Sequence, residues 1–270
     1  MVSARRGFGR AGRIPSFPPA PEAPIHRLVL WNIDLTLLDV AQVTREACAD
    51  AFGQVTGRRL VQLPPTAGRT DSEVFFEALA LNAPDLAGEE DAQRLLAAYN
   101  DALAKAFDAR SDLLPVKGRL LPGAREALTA VARLPGVLQT VLTGTIRPNA
   151  IAKLRAFGLD ALIDAEIGGF GSEAYPKGTL LQVARLRAAE SRGISLTERD
   201  TAYIGDSPRD VAAARIGGAW SIAVASGRAT ETELAAAGAD AVLADLTDTD
   251  AVVRAIDELT LPAVRGDTEG

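Results

Sequence analysis

The sequence predicts an α/β fold: a parallel sheet covered by helices on both faces and interrupted after its first strand by an all-helical insert. Three observations predict it. Leu28 to Ile33 is an apolar run broken only by Asn32, the pattern of a strand buried on both faces. From Leu121 onward, short apolar runs alternate with stretches of helical period, as parallel strands joined by single helices require. Between these two regions, residues 41–118 carry helical periodicity alone. With 47% hydrophobic content in 270 residues, a buried core is affordable.

After the first strand, Val43, Ala47, Ala51 and Val55 recur every fourth position, Cys48 and Phe52 widen the stripe, and Gly57 supplies a stop. On that stripe Cys48 reads as core rather than nucleophile. Thr70 and Glu73 have the spacing of a capping box and open a second helix through Val74, Phe75 and Leu79. A third runs through Ala92, Leu95, Leu96, Tyr99, Leu103 and Phe107, and the insert closes in the punctuated Pro115 to Gly123 region. The sheet region then predicts a helix from Ala124 to Leu134, a strand Leu138 to Leu142, a helix Pro148 to Phe157 and a strand near Leu162 to Ile167. A helix from about Thr179 to Ser191, a strand Thr201 to Ile204, a helix Pro208 to Ile216 and strands at Trp220 to Val224 and Ala241 to Leu243 follow.

The bulk properties narrow the partner. A net charge of −6 gives no support for a nucleic-acid or anionic-membrane partner, so a small soluble ligand is expected. The single Cys48 excludes an intramolecular disulfide, and the single His26, read as structural, excludes a His-rich metal site. Carboxylates must carry any acid-base chemistry. No apolar run reaches the length of about 18 residues that a membrane span needs. Residues 1–24 hold Arg5, Arg6, Arg10 and Arg13 among five prolines with no apolar export segment, which predicts a disordered tail and a cytoplasmic protein. Residues 25–40 and 119–262 form the α/β core, with a further tail at 263–270. Oligomeric state is not written in the sequence.

Four signals stand at strand ends. They are Asn32-x-Asp34-x-Thr36; Thr143 with Gly144 in Leu-Thr-Gly-Thr; Lys177 in Tyr-Pro-Lys-Gly; and Gly205-Asp206-Ser207-Pro208-Arg209-Asp210. Their chemistry suits phosphoryl transfer, which needs donors for the equatorial oxygens, an in-line nucleophile and an acid for the departing oxygen. Thr143 offers a hydroxyl and neighbouring amides, and Lys177 a point charge. Asp206, with Asp210 as a further candidate, offers hard oxygens suited to Mg²⁺. Asp34 projects from the same strand face as Asn32, within reach of a leaving group. Asp39 reads as a turn residue.

Together these motifs resemble those of the haloacid dehalogenase superfamily, and the resemblance runs from residue 25 to about 260. It implies a Rossmannoid core with the helical insert as a C1 cap, as in phosphoglycolate phosphatases and related enzymes acting on small phosphorylated metabolites. By position it implies Asp34 as acid-base, Thr143, Gly144 and Lys177 on phosphate, and Mg²⁺ held by Asp206, the Asp34 backbone carbonyl and, weakly, Asn32. Gly68-Arg69-Thr70 falls where such caps place a specificity loop, which makes Arg69 a candidate for the substrate's other end.

One position departs from the pattern: the family's nucleophilic aspartate is Asn32. A carboxamide carries no charge and cannot form an aspartyl-phosphate, so ordinary turnover should be lost or severely slowed. Three readings stay open. The chain is a diverged member that binds a phosphorylated ligand or regulates as a pseudoenzyme; or Asp34 activates water for direct attack; or an active phosphatase has been altered to trap its substrate. Leu35, where the family commonly has glycine, argues for divergence. Dehalogenation of a 2-haloacid is a rival chemistry, but the family's dehalogenases dispense with metal and would not need the Gly-Asp-Ser-x-x-Asp signal.

Overall fold

The computed structural model describes residues 27–260, so His26 and both expected tails lie outside the described residues. Strand β1 (Arg27–Trp31) is buried at every position. Its side chains alternate between two cores. Val29, Trp31 and Ile33 point into the larger one with Ala124, Leu128, Val252 and Ile256, whereas Leu28 and Leu30 meet Leu180, Leu181, Ala184 and Ala214 on the other face. A strand with both faces covered has no polar side to show, which is why the run is continuous.

β1 pairs in parallel with β4 (Val137–Thr143) on one side and β6 (Thr201–Gly205) on the other. Strands β5 (Gly169–Phe170), β7 (Trp220–Val224) and β8 (Ala241–Leu243) complete the order β5-β4-β1-β6-β7-β8. The chain therefore builds outward through β4 and β5, then returns past β1 to start the other half at β6. At such a reversal the connections leave in opposite directions and open a crevice at the carboxyl ends of the strands.

Helices α1 (Ala41–Thr56), α2 (Asp71–Asn82), α3 (Glu89–Asp108) and the short α4 (Leu114–Lys117) stand over that crevice. The excursion leaves and re-enters through an antiparallel ribbon of β2 (Leu38–Asp39) and β3 (Arg119–Leu120). Gly118 permits the close return, since a Cβ there would lie 2.5 Å from Val40 Cγ1 and 2.9 Å from the Asp39 carbonyl. Helix α2 starts on the Thr70–Glu73 capping box. Phe75 stacks on Tyr99 at 4.3 Å and meets Phe52 edge-on at 6.5 Å, joining α1, α2 and α3. These rings belong to the same buried cluster as Trp31 and Ile33, so the helices and the sheet share one core.

The remaining helices are α5 (Ala124–Ala132), α6 (Arg147–Ala156), α7 (Thr179–Arg192), α8 (Pro208–Gly217), α9 (Glu231–Ala236) and α10 (Thr249–Thr260). Two of them, α9 and α10, are absent from the sequence reading, as is the β2–β3 ribbon. The strand expected near Leu162 to Ile167 is also displaced. Asp160–Leu162 is a single 3₁₀ turn, and pairing with β4 begins only at Gly169. One backbone bond, Asp164 N–H to the Gln139 carbonyl at 3.1 Å, and two β4 side chains satisfy this stretch in place of a regular ladder: Gln139 Nε2 donates to the Leu162 carbonyl and Thr140 Oγ1 to that of Asp164, each at 2.6 Å. Ile163 and Ile167 are buried without being in a strand.

Candidate active site

Beyond Trp31 the chain turns sharply through Asn32, Ile33, Asp34 and Leu35. Leu35 adopts φ 62°, left-handed backbone that a residue with a Cβ occupies at a cost of about 1–2 kcal/mol. Two bonds hold it there: Leu35 N–H donates to the Leu38 carbonyl at 2.8 Å, and Ser226 Oγ donates to the Leu35 carbonyl at 2.7 Å. Glycine would take this conformation freely.

The turn aims Asn32 into the crevice. Its Nδ2 donates to the Asp34 carbonyl (2.8 Å), to Asp206 Oδ1 (2.9 Å) and to Thr36 Oγ1 (3.1 Å), while its Oδ1 accepts from Lys177 Nζ (3.0 Å). Thr36 Oγ1 donates in turn to Asp206 Oδ1 at 2.9 Å. Asp206 follows β6, and Lys177 lies just before α7; both are buried. Burial, and then the charge of Asp210, raise the Asp206 carboxyl, against the hydrogen bonds of Thr36 and Asn32 and the charge of Lys177.

Asp210 does not line the cavity. Its Oδ1 accepts from Lys177 Nζ (2.7 Å) and the Tyr203 hydroxyl (2.8 Å), and its Oδ2 from Ser207 Oγ and N–H. Burial opposes its charge, but these donors, Lys177 foremost, hold the carboxyl below the ordinary carboxylate range. With both oxygens occupied by protein donors, Asp210 aims Lys177 at Asn32 and is not placed to ligate a cation.

Asp34 is tied to Lys153, which no strand-end signal marks, and to Thr145, the last residue of the Leu-Thr-Gly-Thr signal. Lys153 Nζ, on α6, donates to its Oδ1 and Oδ2 at 2.8 and 2.7 Å, and Thr145 Oγ1 donates to its Oδ2 at 3.0 Å. Lys153 is 1% exposed and lies 5.7 Å from the centre of the Phe107 ring. Asp71, the first residue of α2, accepts from Ile146 N–H at 2.9 Å, and burial pushes its carboxyl up to about 6 despite the nearby Lys153 charge. Cys48 is buried against the same cavity, its thiol pushed by burial to about 12.

Asn32, Asp34, Thr143, Gly144, Lys177, Asp206 and Arg69 line one cavity of about 470 Å³ between the strand ends and the helices. Gly144 also serves packing: a Cβ there would lie 1.8 Å from the Arg69 carbonyl, and its own carbonyl accepts from Asp71 N–H at 2.7 Å. The Arg69 guanidinium is tethered to Glu77 and to the carbonyls of Glu73 and Pro65. Arg45 and Arg228 also line the cavity, are exposed, and meet no carboxylate among the described residues. Among the described residues no three His, Cys, Asp or Glu side chains are grouped to hold a metal ion.

The model of the haloacid dehalogenase-like hydrolases matches residues 29–215, most of the chain. The chain belongs to that family. No curated protein matches it in sequence. Among solved structures, it resembles a predicted phosphatase from Clostridium acetobutylicum at TM-score 0.60 and 20% identity, covering 85% of this chain and 99% of that one. A predicted phosphoglycolate phosphatase from Haemophilus somnus gives 0.57 and 17%, covering 84% and 98%. CbbY from Rhodobacter sphaeroides, solved in complex with phosphate, gives 0.55 and 22%, covering 83% and 96%. At these identities the likeness is one of fold. The cavity stands where β1, β4 and β6 end. Among the described residues no helix is long and apolar enough to cross a membrane.

Proposed function

We propose that the cavity receives a small phosphorylated metabolite, that the helices of residues 41–118 cap it, and that phosphatase-like turnover through a covalent aspartate is silenced at Asn32. The reading rests on one observation: Asn32, Thr143 and Lys177 line the same cavity at the carboxyl ends of the strands. Phosphoryl oxygens entering there meet the Lys177 ammonium and the Thr143 hydroxyl, donors of the kind that hold such groups. Arg45 and Arg228, which meet no carboxylate among the described residues, add cationic groups that can reach an anionic ligand, on walls that also carry Asp34, Asp39, Asp71 and Asp206. Asn32 accepts from Lys177 but has no charged oxygen to attack phosphorus. The Asp34 carboxylate, engaged by Lys153 and Thr145, remains partly accessible to the cavity.

The test is phosphate release from a panel of small phosphomonoesters, with Mg²⁺ present, by the parent protein, Asn32→Asp and Asp34→Asn. Release by Asn32→Asp alone is the expected result. Release by the parent that disappears in Asp34→Asn would replace this reading with hydrolysis by water that Asp34 activates.

A further inference from the structure

We infer that the Asn32 carboxamide occupies the place of a divalent cation, so that this site holds its anionic ligand without one. The inference deepens the proposed function, resting on the reading of this cavity as a phosphoryl site. The oxygens that would face a cation are the Asp34 carbonyl and Asp206 Oδ1, and both already accept from Asn32 Nδ2, at 2.8 and 2.9 Å. A magnesium ion needs oxygen ligands at about 2.0–2.1 Å on near-octahedral directions. Here an N–H group points along two of those directions.

The amide cannot simply turn over to make room. A carboxamide has one accepting and one donating end. On one side Lys177 Nζ, a donor only, requires the accepting end at 3.0 Å; on the other, the Asp34 carbonyl and Asp206 Oδ1 require the donating end. The reversed amide would set its NH₂ against the ammonium and its oxygen against two acceptors. A carboxylate would satisfy both sides at once, accepting from Lys177 with one oxygen and offering the other to a metal. Asn32 can serve Lys177 or a cation, not both. Thr36 reinforces the choice by donating to Asp206 Oδ1 at 2.9 Å, which occupies a further lone pair of that oxygen. Mg²⁺ commonly needs only one or two protein carboxylates, so the lack of a carboxylate cluster does not by itself decide the matter; the orientation of Asn32 does.

Manganese, an oxygen-seeking ion of the same class, gives a readout independent of turnover. Electron paramagnetic resonance of Mn²⁺ titrated with the parent, Asn32→Asp, and Asn32→Asp with Asp206→Asn counts bound ions, with circular dichroism confirming that each variant is folded. Asn32→Asp is expected to bind one Mn²⁺ at least about tenfold more tightly than the parent, and the added Asp206→Asn to abolish the gain. Equal binding by parent and Asn32→Asp, binding by neither, or a gain that survives Asp206→Asn overturns the inference. Calorimetric titration of the parent with inorganic phosphate, in EDTA and in Mg²⁺, is expected to give the same dissociation constant. Tightening of about tenfold by Mg²⁺ overturns the inference, whereas no phosphate binding in either condition strikes the phosphoryl-site reading and leaves the ion count to stand.

Discussion

The Lys153–Asp34 pair supports an asymmetric prediction. Lys153 is 1% exposed, whereas Asp34 is 37% exposed. Deleting the carboxylate with Asp34→Ala leaves an ammonium in the interior with only Thr145 Oγ1, at 3.0 Å, as a direct partner. Stripping one member from a buried ion pair costs about 3–5 kcal/mol. The neighbouring charge of Asp71 compensates in part, which places the expected loss near 3 kcal/mol. Deleting the ammonium with Lys153→Met leaves a carboxylate that water reaches, and fills the ammonium's place with an apolar chain beside Phe107, so the expected loss is about 1 kcal/mol or less. The double variant should be more stable than Asp34→Ala alone, because it no longer buries an uncompensated charge. Equilibrium unfolding in urea, followed by the fluorescence of Trp31 and Trp220, measures all three. Lys153→Met costing more than Asp34→Ala, or a double variant no better than Asp34→Ala, would refute the reasoning. The asymmetry also makes Asp34→Asn, which keeps an acceptor for Lys153, a sounder activity control than alanine.

Asp71 has its carboxyl raised from 3.8 to about 6, so its protonated form is favoured in the fold: that contribution is full below about pH 4 and is lost as pH rises through about 6. Asp71→Asn, whose oxygen still accepts from Ile146 N–H, should match the parent at pH 4 and exceed it by about 2 kcal/mol at pH 7.5, measured by urea unfolding at both pH values. With a thiol pushed to about 12, Cys48 should react with iodoacetamide at pH 8 about a thousandfold or more slowly in the native protein than in urea, as mass spectrometry of timed samples will show. Gly144→Ala should destabilise by about 3 kcal/mol, since the added Cβ meets a backbone carbonyl that can move only if the start of α2 moves; a loss under about 1 kcal/mol would show that α2 gives way easily.

Reading the chain located the residues that stand where strands end, because β1 and β6 are largely apolar, β4 ends on the apolar pair Val141–Leu142, and Asn32, Thr143 and Asp206 directly follow or close these strands. The residues behind them were harder to see. Lys153 occupies the buried stripe of α6 with Ala150 and Leu154, and a lysine on an apolar stripe is the signal that marks it for pairing. Thr145 and Asp71 carry no such mark, since a threonine in a turn and an aspartate at the start of a helix are ordinary there. α10 was there to be read: Val252, Ala255 and Ile256 form a stripe after Asp248, which accepts from Ala251 N–H. The strand expected at Leu162 to Ile167 failed because Asp164 and Glu166 break the run, leaving one backbone bond to β4 and two bonds from β4 side chains there. The ribbon of β2 and β3 is two residues on each side, too short for a periodicity to register.

The central position of β1 has a kinetic consequence. The strand emerges early in the chain, yet its partners arrive only after the helical excursion, and the bonds that complete the site close loops of 145 residues from Asn32 to Lys177 and 174 from Asn32 to Asp206. Contacts of such sequence separation form late, because chain entropy must be lost before they reward it. Until then β1 has two unpaired edges and five apolar or long side chains with no core to enter, the kind of segment that adds to other chains. The bonds from Asn32 to Lys177 and Asp206 are therefore among the late contacts to form, and they are lost when either half of the sheet comes away.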